Sequence, residues 1–298
     1  MPERFLCVDI GGTSTKAGVV NPAGELAFLD SIPTRGPAEN FVGEICELVN
    51  RTVSASSANM SDFKGLGLAV AGFLDEQRNC FLYNSNIAWL EGFPLRDALA
   101  SCLPVPLALE VDSNAAAMAE WCFGSGRGSK RFLCITSGTG LGVGMIVNGH
   151  PLRFAYGCLG DIGHIIVQPN GPLCTCGGHG CAEIMVSAPA VAARFREGAT
   201  LRQVIEAAQA HDAAAMRLLK ETGEWLGIAI ASMATTFFPD HIAVAGGLSE
   251  AGDLLMHGVQ RTFEAHAGDF ARSEATISRA ELGSRATLIG AAWPFLRR

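Results

Sequence analysis

Residues 8–20 read VDIGGTSTKAGVV, and residues 135–147 read ITSGTGLGVGMIV. Each stretch is an apolar run, a glycine turn and a second apolar run, the pattern of a β-hairpin. The first hairpin pairs Phe5–Ile10 with Lys16–Val20 across Gly11-Gly12. The turn Asn21-Pro22-Ala23-Gly24 then leads to a third strand, Leu26–Ile32. The second hairpin pairs Phe132–Thr136 with Leu141–Val147 across Gly138-Thr139-Gly140 and closes at the turn Asn148-Gly149. Two hairpins so alike in hydrophobic pattern and glycine placement, about half a chain apart, predict an internal duplication.

Beyond each hairpin, helix and strand alternate. In the first half Glu39–Val53 predicts a helix, Gly65–Ala71 a strand, Pro106–Val111 a strand and Ser113–Phe123 a helix. In the second, Ala213–Phe238 predicts one long helix or two, and His241–Ala245 a strand ending at Gly246-Gly247. Alternation of this kind implies α/β layers, and two duplicated halves place a ligand cleft between them.

Composition narrows the partners. A chain of 298 residues can bury a substantial core, as one large domain or two modest ones. A net charge of -7 and the lack of any Lys/Arg block argue against a nucleic-acid partner. The opening MPERFLCVDIGGT enters a strand at once, so neither a signal peptide nor a DNA-binding module ahead of it is expected. The most apolar stretch, 226–238, is interrupted by Gly227, Ser232, Thr235 and Thr236 and is too short to span a bilayer. Ten cysteines without a secretion signal fit a reducing cytoplasm. The expectation is a soluble cytoplasmic protein with no membrane contact.

Three of those cysteines stand apart from the rest. The segment GDIGHIIVQPNGPLCTCGGHGCAE carries His164, Cys174, Cys176 and Cys181, a full ligand set for a closed tetrahedral Zn²⁺ site. Cys174 and Cys176 are too close for an easy disulfide, but their thiolates can converge on one metal. Thr175, Gly177, Gly178 and Gly180 around them are turn residues with nothing to pack. The other seven cysteines sit in apolar surroundings and read as small core residues. Four protein ligands leave no open position, so the predicted zinc is structural. Asp161 and Glu183 bracket the segment and suit a hydroxylated ligand, while His164 can serve either the metal or that ligand.

Glycine turns follow apolar strands at Asp9-Ile-Gly-Gly-Thr13, Thr136-Ser-Gly-Thr-Gly140 and Ala245-Gly-Gly-Leu248. Glycine lets backbone N–H groups approach an anion, and the threonine hydroxyls add donors. None is a P-loop, since Gly-Lys-Ser/Thr is missing. Two matched hairpins and a third turn together suggest a triphosphate, with Asp9 holding Mg²⁺ through water; a turn cap is the plainer reading of Asp9. Asp112 ends an apolar strand and precedes a helix. It reads both as a helix cap and as a base that orients and deprotonates an attacking hydroxyl, placed where α/β sheets put their ligands.

Taken in order, these motifs resemble the ROK sugar kinases of the actin and hexokinase-like ATPase superfamily. The resemblance runs through DIGGTSTKAG, NSNIAWLEGFPL at 84–95, LEVDSNAAA at 109–117, ITSGTGLGVGMIVNG at 135–149, GCLGDIGHIIV at 157–167, CTCGGHGCAE at 174–183, PDHIAVAGGL at 239–248 and LGSRATLIGAA at 282–292. It implies an α/β two-domain actin-like (ribonuclease H-like) ATPase fold with duplicated βββαβαβα halves and a central cleft. The expected division is 1–112, completed by a C-terminal helix at about 288–298, and 113–287, which bears the zinc loop. It also implies ATP-dependent phosphorylation of a sugar hydroxyl, with Mg²⁺, a structural zinc and a homodimer. By the same carry-over Asp112 is the general base. Asp9, Gly11, Gly12, Thr13, Lys16, Gly138, Thr139, Gly246 and Gly247 serve the nucleotide. Asn86, Asp112, Asp161, His164 and Glu183 contact the sugar, and His164, Cys174, Cys176 and Cys181 hold zinc.

Two positions depart from the glucose-type pattern. Val111 stands where Asn usually precedes the catalytic Asp, and Asp161 stands where Glu is usual. Valine forms no hydrogen bond, and aspartate is shorter by one methylene, about 1.5 Å. An unpaired buried hydroxyl costs about 1–3 kcal/mol, so a modified or epimeric sugar is expected to outrun glucose. A silent sugar-binding sensor and a kinase for a cyclitol or other polyol are the alternatives, and the phosphoryl donor, ATP or polyphosphate, is left open.

Overall fold

The computed structural model describes residues 3–83 and 87–296. Its twelve strands are β1 (Phe5–Ile10), β2 (Ser14–Val20), β3 (Leu26–Pro33), β4 (Leu66–Val70), β5 (Phe73–Leu74), β6 (Phe81–Tyr83), β7 (Leu107–Val111), β8 (Arg131–Ser137), β9 (Leu141–Val147), β10 (His150–Pro151), β11 (His241–Ala245) and β12 (Thr276–Arg279). They form two five-stranded sheets, ordered β3-β2-β1-β4-β7 and β10-β9-β8-β11-β12, and the small pair β5-β6. Third, second, first, fourth, fifth is the order in both sheets, which is the duplication expected from the two hairpins. In each sheet the hairpin is antiparallel, and the later strands join it in parallel: β4 on β1 and β7 on β4 in one, β11 on β8 and β12 on β11 in the other. This is the actin-like α/β layout.

The chain divides into two compact units. One comprises Met1–Phe123, Pro151–Gly160 and Arg285–Arg298; the other comprises Gly124–His150 and Asp161–Ser284. The helix Asp112–Phe123 therefore belongs to the first unit, one element later than a division after residue 112, and a short stretch between β10 and His164 returns to that unit. The core of the first unit gathers β1, β4 and β7 over the helix Ala38–Ala55, with Val8, Phe41, Ile45, Leu48, Leu66, Leu68 and Val70 fully buried. The helix Ala286–Ala291 completes it. A Cβ on Gly67 of β4 would lie 1.7 Å from the Ala291 carbonyl, and one on Gly290 1.7 Å from the Ala115 carbonyl. Backbone thus meets backbone on both sides of this helix, and only glycine fits. Gly67→Ala and Gly290→Ala should each destabilise the protein by about 3 kcal/mol, the upper range for overpacking, read as a lowered urea midpoint with the slope unchanged.

In the second unit the predicted long helix is continuous over Ala213–Phe237. Gly223 and Gly227 on it meet the backbone of the helix Asp253–His266, where added Cβ atoms would come within 2.3 Å of the Leu255 carbonyl and 2.7 Å of the Val259 carbonyl. These close approaches pack the two helices backbone to backbone inside this unit. Among the described residues no helix is long and apolar enough to cross a membrane. Cys46 and Cys102, read from sequence as packing thiols, form a disulfide with their Cα atoms 6.6 Å apart; they lie 56 residues apart in the chain, and folding alone brings them together.

Candidate active site

Asp9 and Asp112 both lie in the first unit, at the ends of strands that flank β4. Lys16 is the cross-strand partner of Asp9 in the first hairpin. Burial, and then the charge of Asp112, push Asp9 up to about 7, with Lys16 opposing them. Burial likewise raises Asp112, against backbone N–H groups that lower it. Both carboxylates are thus held above the ordinary carboxylate range, as groups at functional sites often are. Asp112 opens the helix Asp112–Phe123, and its Oδ1 accepts from the adjacent Ser113 N–H at 2.7 Å, whereas an N-cap oxygen accepts from residues two or three further on.

The glycine turns are closed by their own backbones and open outward. Gly11 N–H donates to the Ser14 carbonyl at 3.1 Å, and Gly138 N–H to the Gly140 carbonyl at 2.9 Å. Gly12, Thr13, Gly138 and Thr139 are exposed, and a side chain on Gly138 would meet nothing within 4 Å. The second turn is anchored behind, where Ala188 N–H donates to the Gly138 carbonyl at 2.8 Å. Gly246 has φ +78°, and a Cβ there would lie 2.2 Å from the Ser137 carbonyl, so glycine is required where β11 ends beside β8. Gly247 follows it, partly exposed. Asn86, expected at the sugar, lies outside the described residues.

His164, Cys174, Cys176 and Cys181 bring one ligand atom each within 4.8 Å of one another. Cys176 Sγ and Cys181 Sγ are 3.6 Å apart, and His164 Nδ1 is 3.5 Å from Cys174 Sγ. A tetrahedral ion with Zn–S of about 2.3 Å and Zn–N of about 2.0–2.1 Å sets those separations near 3.8 Å and 3.6 Å. The four residues therefore fit zinc. Burial and the neighbouring thiols push Cys181 up to about 12, while the Gly178 N–H pulls Cys176 down; a cation is what would hold all three as thiolates. The loop is shaped by backbone contact: a Cβ on Gly180, at φ +67°, would lie 1.6 Å from the Gln168 carbonyl.

The two ring nitrogens of His164 face different groups. Nδ1 faces the thiols, and Nε2 faces Asp161 Oδ1 at 3.7 Å and Glu183 Oε1 at 3.8 Å. A metal-ligating imidazole is oriented by what its second nitrogen meets, so the ring joins the metal cluster to the two predicted sugar carboxylates. Glu183 is half committed, its Oε2 accepting from Leu141 N–H at 2.9 Å. That bond ties the carboxylate to the second glycine turn, which no local motif predicts.

Val111 is buried, 4% exposed, with its Cγ2 3.6 Å from where a Gly157 Cβ would stand, beside Leu74. It packs under the Tyr156-Gly157 turn. The preceding residue, Glu110, was missed altogether. The available signal was a charge inside the apolar run LALEV. It is 1% exposed and bonded to Arg78, Arg153, Asn114 and the Val111 amide.

Comparison with known proteins gives a consistent picture. The ROK family pattern matches residues 5–298. A glucokinase from Halalkalibacterium halodurans is 34% identical over 98% of this chain and 95% of its own length, and an N-acetylmannosamine kinase from Haemophilus influenzae is 28% identical over 97% and 94%. The structure of a ROK family glucokinase from Streptomyces griseus in complex with glucose and AMPPNP superposes with a TM-score of 0.88 at 32% identity, covering 99% of this chain and 100% of that one.

Proposed function

This chain belongs to the ROK family, and from that premise we propose that it transfers the γ-phosphoryl group of ATP to a hydroxyl of a hexose or modified hexose, the 6-position being the acceptor. It is an ATP-dependent sugar kinase. Asp112 carries the reading. Its carboxylate stands at the end of a parallel strand, is raised by burial and shares a field with Asp9. As general base it accepts the proton of the attacking hydroxyl.

Phosphoryl transfer needs positioning and charge stabilisation more than covalent help. The exposed amides of Gly12, Thr13 and Thr139 and the threonine hydroxyls supply donors to the phosphates, Gly11 and Gly138 shape the turns that present them, Lys16 adds a cation on the first hairpin, and Gly246 and Gly247 admit the nucleotide. Mg²⁺, when bound, neutralises charge on the β- and γ-phosphates, and Asp9 is the carboxylate placed to hold it through water. Asp161, His164 and Glu183, with Asn86, hold the sugar hydroxyls, and the Cys174–Cys176–Cys181–His164 set takes a structural zinc that fixes their loop.

Val111 is spent on packing, so acceptor choice falls to Asp161, the shorter carboxylate. A hexose bearing a bulkier group on that side is expected to be turned over faster than glucose. The test is ADP release from Mg²⁺-ATP across hexoses, amino and N-acyl sugars, epimers and cyclitols. Turnover of one compound above glucose supports the reading, and glucose leading every derivative removes the Asp161 argument. Silence across the panel, with sugars still raising the melting temperature, would instead identify a sensor.

A further inference from the structure

Glu110 is a carboxylate where an apolar side chain would continue β7. Its Oε1 accepts from the Val111 N–H at 3.0 Å and from Asn114 Nδ2 at 3.0 Å. Its Oε2 meets Arg78 Nη2 at 2.8 Å and Arg153 Nη2 at 2.5 Å. Arg78 also donates to the Leu109 carbonyl, and Asn114 Nδ2 to the Gly157 carbonyl at 2.8 Å. Four stretches of chain are sewn together here: the turn between β5 and β6, the end of β7, the start of the helix Asp112–Phe123, and the segment Pro151–Gly160.

Stability alone does not call for this arrangement. A buried charge set is commonly matched by apolar residues of similar size, and this one leaves Arg78 Nε, Arg153 Nε and Asn114 Oδ1 buried without a partner among the described residues. What the network does fix is place. It holds the chain on both sides of Asp112, through the Val111 backbone amide on one side and the Asn114 side-chain amide on the other, with planar guanidinium groups that hold a carboxylate in one orientation. We propose that Glu110, with Arg78 and Arg153, is a positioning network for Asp112, holding the strand–helix junction so that its carboxylate meets the acceptor hydroxyl in a single geometry. The proposal rests on Asp112 being the general base. Small displacements of a catalytic group cost rate steeply, about a hundredfold for an ångström.

Each arginine is about a third exposed, with side-chain accessibilities of 32% for Arg78 and 30% for Arg153. Either can therefore be replaced while Glu110 keeps the other. Arg153→Met should lower kcat about tenfold, with KM for sugar and for ATP within about twofold of the parent. Arg153→Lys, which keeps the charge without the fork, should recover part of the loss. In an Asp112→Asn background Arg153→Met should cost nothing more, because a network that acts through Asp112 has nothing left to position. Losses that multiply in the double variant would overturn the proposal, as would an Arg153→Met enzyme with unchanged kcat and only a lower melting temperature. Arg78→Met provides the same test should Arg153→Met fail to fold. An active Asp112→Asn is a distinct result, which would remove the base assignment itself.

Discussion

Asp112→Asn should lower kcat by about 10²–10⁴, the range that a general base contributes, while sugar and nucleotide affinities stay close to those of the parent. The same substitution should raise the melting temperature of the ligand-free protein at neutral and alkaline pH. Burial lifts Asp112 above its ordinary value, so the folded state holds its proton more tightly than the unfolded chain does. Stability is then fully present below the unfolded pKa of about 3.9 and falls as pH rises through the folded pKa. Asparagine keeps the carbonyl oxygen that Ser113 uses and removes the charge that burial penalises. The stabilisation should therefore grow as pH rises above about 4 and be absent near pH 4. Activity runs the opposite way, since the base works only when ionised. With Asp9 held at about 7 by burial and by Asp112, kcat/KM should fall as pH drops through about 7, and the pair should titrate together. A variant that loses rate without gaining stability at high pH would show that Asp112 is not a desolvated carboxylate.

Removal of the zinc ligands should have the second large effect. Purified protein should contain about one zinc per chain, and Cys181→Ser should contain less than about a tenth of that. Asp161 and Glu183, the carboxylates proposed to hold the sugar, face the second nitrogen of His164, so in the proposed zinc site their placement would follow the metal. Loss of an outer-shell partner typically costs 10–100-fold, and loss of the ion itself should cost at least the upper figure, about a hundredfold in kcat/KM for the sugar. Nucleotide affinity should change little, because the glycine turns are closed by their own backbones. A metal-free protein that is folded and fully active would refute the cluster's role. A drop in nucleotide affinity equal to that for sugar would show general collapse of the second unit.

Turn chemistry and ligand chemistry were legible because they are local. The glycine hairpins, the cysteine and histidine spacing and the strand-end position of Asp112 each lie within a few residues, and each needs a particular residue type. Long-range partners left no such trace. Arg78 and Arg153 reach Glu110 from 32 residues before it and 43 after it, and nothing in their own surroundings marks them. Gly67 and Gly290 carry no local signal of their role, which is to let the helix Ala286–Ala291 close on β4 and on Ala115. The strand β12, partly exposed at Ile277 and Ser278, lacks the apolar run that marks its counterpart β7. Val111 was read by chemistry alone, and its packing under Gly157 emerged only in three dimensions.

The helix that fills the gap between Gly67 and Ala115 also sets an order of manufacture. Ribosomes add about 5–20 residues per second, so about 160 further residues, or roughly 8–30 s of synthesis, separate Phe123 from Arg285. Throughout that interval the nascent first unit has its leading sheet but not the helix that seals it, and one apolar face of β4 stays uncovered. The second unit, complete at Ser284, can fold before then. The part of the enzyme that is made first is thus the last to be finished, and it is the part that holds Asp9 and Asp112.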